Sequence, residues 1–350
     1  MSKPCDLSAL ISGINGQDGF YLSRHLLQLG YRVYGLMRGS LNKKTHLSLL
    51  IKEYGARLTL HSGDVLNLAC LIELLNRIEV DEIYHLAAQS HVGLSFQQAL
   101  YTYDVNSIGT IRLLEALQAL DMHKRVRFYN ACSSEVFGRV TEIPQKETTP
   151  FRPVSPYGAS KVLSYWATKL MREQHDMFAV NGILFNHESP LRDEAFVTRK
   201  ITLGVARIAH AMATEIQLGY LDSERDWTHA ADMVVGIHHM MQQQRPDDFV
   251  LASGTSRSVR CFAEAAFKVI GIELRWQGEG ENEVGYDARD GTVRVRVNSE
   301  LFRPLEVEKL LGDPAKAAIV LKWQPTITFE NLVKEMVEAD LQLLSSTPRL

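Results

Sequence analysis

Short apolar runs alternate with helix-period stretches through the first half of the chain. Residues 7–12 read as a buried strand, and the apolar face Tyr21-Leu22-x-x-x-Leu26-Leu27 reads as a helix. Further strands are expected at 31–37, 57–61, 82–87 and 126–131, with helices at 68–78 and 105–119. Strands alternating with helices of about 10–15 residues predict a parallel sheet covered by helices on both faces. Beyond residue 186 the alternation weakens. Residues 206–213, 232–243, 257–269 and 329–344 carry helical periodicity, and 279–290 is polar and loop-like. The expected organisation is a nucleotide-binding domain at 1–186, to which part of about 215–245 returns, and a second, discontinuous lobe built mainly from 187–350.

Composition narrows the class. A hydrophobic content of 45% with 23% charged residues is that of an ordinary globular chain. The formal net charge of -3 carries no basic footprint, so no nucleic-acid partner is expected. Cys5, Cys70, Cys132 and Cys261 form no C-x-x-C pair and read as free thiols in a reducing compartment. The polar start Met-Ser-Lys-Pro-Cys-Asp-Leu is unlike a signal peptide, and no run of about 18 apolar residues occurs. A cytoplasmic protein with no membrane partner is the expectation. His85, His91 and the pair His238-His239 lack a matching carboxylate or thiolate pattern, so no metal is expected.

Gly13, Gly16 and Gly19 stand between the first strand and the first helix. Glycine there lets backbone amides approach a pyrophosphate, and a helix N-terminus favours negative charge. The fold class expected is therefore α/β, a Rossmann-type doubly wound parallel sheet with a smaller C-terminal α/β lobe. Charge separates the two nicotinamide cofactors. A carboxylate about 20 residues after the turn binds the ribose 2′-OH of NAD. This chain has no Asp or Glu between Asp18 and Glu53, but has Arg24, Arg32, Arg38, Lys43, Lys44 and Lys52 there. Arg24 and Lys52 read as solvated helix face. Arg38 ends the second strand, where a guanidinium attracts a 2′-phosphate, and Ser40 adds a hydroxyl. NADP is the expected cofactor. Asp64-Val65 follows the third strand; Asp64 reads either as an acceptor for the adenine amino group or as a helix cap. Leu86, Ala87, Ala88 and Ser90 close the fourth strand with small residues suited to packing on a cofactor.

Tyr157 and Lys161 stand four residues apart, on one face of a helix. An ammonium beside a phenol favours the phenolate and makes a usable base. Ser133 and Glu135 follow the strand at 126–131, whose carboxyl end opens on the ligand crevice of such a sheet. A glutamate after a strand is usually a solvated loop residue, but its company with Tyr157 and Lys161 favours a second acid/base group.

The chain resembles the extended short-chain dehydrogenase/reductases and, within them, the GDP-mannose 4,6-dehydratase family over nearly its whole length. The resemblance lies in Ile11-Ser12-Gly13-Ile14-Asn15-Gly16-Gln17-Asp18-Gly19, Ala88-Gln89-Ser90-His91-Val92 and Ile143-Pro144-Gln145-Lys146-Glu147-Thr148-Thr149-Pro150. It continues through Asn186-His187-Glu188-Ser189-Pro190, Phe196-Val197-Thr198-Arg199-Lys200, Arg225-Asp226-Trp227 and Arg303-Pro304-Leu305-Glu306-Val307. It implies Ser133, Glu135, Tyr157 and Lys161 as the catalytic set, Ser133 standing where the family has threonine. It adds Asn15, Gln17, Asp18, Tyr101, His187 and Arg192 to the cofactor site. For the GDP-sugar it implies Ser90, Ser133, Asn186, Glu188, Val197, Lys200, Gly219, Arg225, Arg303 and Glu306. Arg225 and Arg303 suit a diphosphate, and Glu306 a ribose diol.

The implied reaction is an internal redox cycle. Tyr157 takes the 4-OH proton as hydride leaves C4, Glu135 removes the C5 proton and helps expel water from C6, the hydride returns to C6, and C5 is reprotonated. Two segments depart from the family: Gly39 and Ser-Leu-Asn-Lys-Lys-Thr-His replace a second arginine and a serine-rich loop, and Pro190-Leu191-Arg192-Asp193-Glu194 replaces Pro-Arg-Arg-Gly-Glu. In relatives the first loop joins subunit contacts, so either a homodimer or a homotetramer is expected. The rival readings are a 4,6-dehydratase of another GDP-sugar such as GDP-manno-heptose, an NADPH-dependent 4-keto sugar nucleotide reductase, and a non-catalytic NADP(H) sensor.

Overall fold

Strand β1 (Ser8–Ser12) is buried at all its positions, as its unbroken apolar run requires of a central strand. In the computed structural model, which describes residues 7–39, 46–302, 305 and 307–346, it pairs on both sides. Helix α1 (Gln17–Gln28), strand β2 (Arg32–Met37), helix α2 (Leu47–Tyr54) and strand β3 (Leu58–Ser62) follow. Then come α3 (Leu68–Arg77), β4 (Glu82–His85), α4 (Val92–Gln97), α5 (Ala99–Tyr103), α6 (Gly109–Ala119), β5 (Arg127–Ser133), α7 (Pro156–His175) and β6 (Ala179–Leu184).

The chain divides into two units. It leaves the first at Phe185 for β7 (Asn186–Glu188), α8 (Val197–Ala209), β8 (Ile216–Leu218) and β9 (Glu224–His229). It rejoins the first with α9 (Ala230–Met241) and β10 (Phe249–Leu251), and again over Asp313–Gln324. The rest of the second unit is β11 (Ser256–Ser258), α10 (Val259–Val269), β12 (Leu274–Gln277), β13 (Val284–Asp287), β14 (Val293–Val297) and α11 (Phe329–Ser345).

In the first unit, the described residues form a seven-stranded parallel sheet in the order β10-β6-β5-β4-β1-β2-β3. This is the doubly wound Rossmann arrangement, with the order reversing between β1 and β4. Its core sets Leu10, Ile83 and Phe128 from the strands against Leu71, Leu113 and Leu117 from α3 and α6. Each such side chain contributes about 1.5–3 kcal/mol by leaving water.

The second unit holds a three-stranded sheet, β11-β9-β7, and a four-stranded one, β12-β13-β14-β8. Helices α8, α10 and α11 share an apolar core with Val205, Phe262, Phe267, Val333 and Met336. Asp340, fully buried, accepts from the Arg199 Nε at 2.9 Å and the Thr202 hydroxyl at 2.7 Å, tying α11 to α8.

Several local expectations are corrected. The polar stretch 279–290 contains β13, whose Gly285 leaves room for the Trp276 ring: a Cβ there would lie 2.8 Å from it. The helix expected at 206–213 is α8, which starts nine residues earlier, through β-branched residues of low helix propensity. It ends at Ala209 with His210 as C-cap, after which Ala211 turns left-handed (φ 57°). The helix expected from 105 opens as a π-turn, Asp104–Ile108, before α6.

Candidate functional site

The chain leaves β1 through Gly13, at φ 73°, whose N–H donates to the Leu36 carbonyl. A Cβ on Gly13 would stand 2.8 Å from the Ala87 backbone, and one on Gly19 would stand 2.4 Å from the Ile14 carbonyl oxygen. Glycine is thus demanded at the first position by conformation and close approach, and at the third by helix–strand contact. Gly16 is the N-cap of α1, with no side chain capping the helix. Its first-turn amides are of the kind that phosphate oxygens accept from, so the residues present fit a dinucleotide pyrophosphate. Asn15 is exposed, and the Gln17 amide donates to the Asp18 carboxylate at 3.1 Å.

Arg38, exposed at the end of β2, donates to the Tyr101 hydroxyl, so these two candidate residues are brought together. Ser40 lies outside the described residues. Asp64 does not cap α3: Asn67 does, accepting from the Cys70 N–H at 3.1 Å. The Asp64 carboxylate instead accepts from the Leu66 N–H at 3.0 Å, closing the turn after β3, and Val65 is buried beneath it. Leu86 and Ala87 donate their N–H groups to the Ser12 hydroxyl, which places this segment beside Gly13. Ala88 is half-buried and Ser90 exposed.

The acid/base candidates sit at the carboxyl end of β5 and the start of α7. Ser133, the last residue of β5, accepts from the Glu135 N–H at 3.3 Å and opens a short helical turn, Ser134–Val136. Glu135 is only 8% exposed, so it is not the solvated loop residue that its position after a strand allows. Helix α7 begins with Ser155 as N-cap, accepting from the Gly158 N–H at 3.0 Å, and with Pro156 in its first turn. A Cβ on Gly158 would come 2.6 Å from the Glu135 carbonyl oxygen. The turn carrying Glu135 and the turn carrying Tyr157 are therefore in backbone contact. The Tyr157 N–H donates to the Ser95 hydroxyl at 3.2 Å.

Lys161 donates to the Ala131 carbonyl at 2.8 Å, and its Nζ lies 5.8 Å from the centre of the Tyr157 ring. Burial lowers its pKa to about 8, against the opposing pull of Cys132 and Asp18. The ammonium is thus charged at neutral pH but easily discharged. Cys132, on β5, is pushed by burial up to about 12 and is inert as a thiolate source.

The remaining candidates belong to the second unit. Glu188 is buried; it accepts from Thr198 at 2.9 Å and pairs with Arg192 Nε at 2.9 Å. Arg192 also stacks 3.6 Å above the Phe196 ring, so its charge is fixed by an acid and an aromatic face. The His187 Nδ1–H donates to the Phe185 carbonyl at 2.8 Å. Asn186, Val197 and Lys200 are half-buried. A Cβ on Gly219 would stand 3.1 Å from the Leu301 carbonyl oxygen. Arg225, 6% exposed, donates to the Glu224 and Val307 carbonyls at 2.9 and 2.7 Å, which orients its guanidinium. Arg303 and Glu306 lie outside the described residues.

Sequence reading missed Ser95, Asn106, Gly158 and Ser160. The only local signal was Gly158, the glycine directly after the tyrosine; the others act through contacts distant in sequence.

A parallel sheet wound in this order, a glycine turn after β1 and a Tyr-x-x-x-Lys pair on α7 define a Rossmann-fold protein of the extended short-chain dehydrogenase/reductase class. The comparisons narrow this further. The sequence model described as "GDP-mannose 4,6 dehydratase" matches residues 10–336, and the chain belongs to that family. It is 51% identical to "GDP-mannose 4,6-dehydratase sdnI" of Sordaria araneosa over 97% of this chain, and spans 62% of that longer relative. It is 50% identical to "GDP-mannose 4,6 dehydratase 2" of Caenorhabditis elegans over 97% of this chain and 90% of the relative. Among solved structures, the dTDP-glucose 4,6-dehydratase of Bacillus anthracis in complex with NAD shares the fold. Its TM-score is 0.78 at 18% identity, over 97% of this chain and 98% of that one.

Proposed function

We propose that the chain dehydrates GDP-mannose to the GDP-4-keto-6-deoxy sugar, as a hydro-lyase that uses NADP internally. The observation that carries this reading is the burial of Glu135 on a turn packed against the first turn of α7, in a chain of the dehydratase family. A simple alcohol oxidation needs Tyr157 and Lys161 alone; elimination of water needs a further acid/base group.

NADP, when bound, would accept a hydride from C4 and return it to C6. Tyr157 takes the proton of the sugar 4-OH, and the Lys161 ammonium stabilises the phenolate. Glu135 removes the C5 proton, made acidic by the new ketone, and delivers it to the departing 6-hydroxyl; C5 is reprotonated as C6 is reduced, and the proton that Tyr157 took closes the balance. Ser133 orients the sugar hydroxyls. Gly13, Gly16 and Gly19 admit the pyrophosphate. Asn186, Lys200 and Arg225 are the groups suited to the GDP portion.

NADP rather than NAD is supported by Arg38, exposed at the end of β2 where a ribose-binding carboxylate would otherwise stand. Titration of the purified protein should give the tighter dissociation constant for NADP; equal or tighter NAD binding contradicts the assignment. Assembly into a homodimer or homotetramer is supported by apolar side chains left in solvent. Leu163, Trp166 and Leu170 on α7 are 43–45% exposed, and Leu100 on α5 is 84% exposed.

The decisive experiment uses Glu135→Gln. The wild type, given GDP-mannose and no external NADPH, should yield a 4-keto-6-deoxy sugar nucleotide by mass spectrometry. The variant should lose at least about a hundredfold in rate while binding NADP normally. Near-normal turnover removes Glu135 from the reaction.

A further inference from the structure

A continuous line of buried hydrogen bonds runs from the glycine turn to α7, and His85 stands at its centre. We propose that His85 is a positioning residue: held as the Nε2–H tautomer, it couples the backbone facing the cofactor turn to the helix that carries Tyr157 and Lys161. The inference deepens the proposed function and rests on it for the identity of the reaction.

Donor counting fixes the direction of the line. The Ser12 hydroxyl accepts from the Ala87 N–H and shares the Leu86 N–H with the Ser12 carbonyl, each contact at 3.2 Å, so both its lone pairs face N–H donors. Its own proton therefore goes to His85 Nδ1, at 2.7 Å. The Thr110 hydroxyl donates to the Asn106 carbonyl at 2.8 Å, so at its 3.1 Å contact with His85 Nε2 it is the acceptor. Nε2 thus carries the ring proton, and each bond has one donor and one acceptor. An imidazolium would set a second N–H against the Ser12 proton. Burial, with a further push from the Lys161 charge, lowers the His85 pKa to about 3, so the ring is neutral throughout the working range.

Beyond Thr110 the line reaches α7 through the π-turn. Such an extra residue within a helix is frequently found where function demands a re-aimed side chain. Here both Asn106 and Ser107 meet α7. Asn106 Nδ2 donates to the Ser160 hydroxyl at 3.0 Å, and the Ser107 hydroxyl donates to the Ser160 carbonyl at 2.9 Å. Ser160 in turn donates to the Tyr157 carbonyl at 2.6 Å. At the other end, Ala87 is the residue whose backbone closes on Gly13. Asn106 is itself held by the Gln89 backbone, accepting from its N–H at 2.8 Å and donating to its carbonyl at 3.0 Å, so a shift at either end meets a braced link.

Thr110→Val removes the hydroxyl at nearly constant shape, and His85→Asn keeps an atom near Nδ1 while losing Nε2. Both should fold, hold NADP and keep the KM for GDP-mannose within about twofold, yet lose kcat on the order of tenfold to a hundredfold, as small misplacements do. The double variant should be no slower than His85→Asn, because both break one link. His85→Gln, whose amide nitrogen reaches the Nε2 position, should recover part of the rate. In the substrate-free protein, hydrogen exchange at amides 104–110 and 157–161 should quicken in His85→Asn and Thr110→Val. Wild-type kcat and wild-type exchange in Thr110→Val, or multiplicative losses in the double variant, overturn the proposal. If His85→Asn fails to fold, Thr110→Val decides alone. If the wild type makes no 4-keto-6-deoxy product, the reaction assignment fails, and the exchange arm still decides the coupling.

Discussion

Lys161 is the residue where burial and function pull against each other. Its ammonium is needed beside Tyr157, yet it is 5% exposed and its pKa falls to about 8, well below the ordinary 10.5. The charged form is therefore present below about pH 8 and is lost as pH rises through that value. The rate should fall on this alkaline limb. A guanidinium stays charged far above that pH. Lys161→Arg should thus move the limb upward, at some loss of maximal rate from the bulkier fork; a limb in the same place means that another group sets it. The stability consequence has its own sign. A depressed lysine pKa stabilises fully above about 10.5, and the contribution is lost as pH falls towards about 8. Arg38 shows a different residue-scale lesson. Its charge was readable from the sequence, but its pairing with Tyr101 was not, because 63 residues separate them.

At the scale of elements, the start of α7 matters most. Ser155 and Pro156 fix where the helix begins, and Gly158 lets its first turn touch the turn bearing Glu135. Gly158→Ala puts a methyl group 2.6 Å from the Glu135 carbonyl oxygen. One turn must then withdraw from the other. The rate should fall on the order of a hundredfold, with a stability loss of about 1–3 kcal/mol and little change in NADP affinity. Steady-state kinetics beside a urea titration separates the two effects; an unchanged rate would show that the two turns need not touch. The π-turn before α6 and Asn67 as the cap of α3 belong to this scale too. Periodicity locates a helix well but leaves its first turn open, since caps and insertions depend on which partner wins a backbone amide.

For the whole molecule, each unit has its own core and its own polar anchors. In the second, Arg199→Met would leave the fully buried Asp340 carboxylate without its guanidinium. The expected cost is about 3–5 kcal/mol, and Arg199→Met with Asp340→Met should regain most of it, since a buried pair replaced by apolar groups is often neutral. Urea unfolding of both variants tests this; a single variant as stable as the wild type would mean that the pair does not anchor α11. The candidate residues are shared between the units: the glycine turn, Glu135, Tyr157 and Lys161 in the first, Asn186, Glu188, Lys200 and Arg225 in the second.

The sequence by itself determined the sheet class, the glycine turn and the Tyr157–Lys161 pair. Each rests on local rules: side-chain period, backbone sterics and one-turn helical spacing. Only the tertiary structure decided that Glu135 is buried, that a polar stretch pairs as β13, and that His85 joins Ser12 to Thr110. Those outcomes depend on hydrogen bonds and close contacts between residues far apart in the chain. Their partners are chosen by the folded backbone and leave no periodic trace along it.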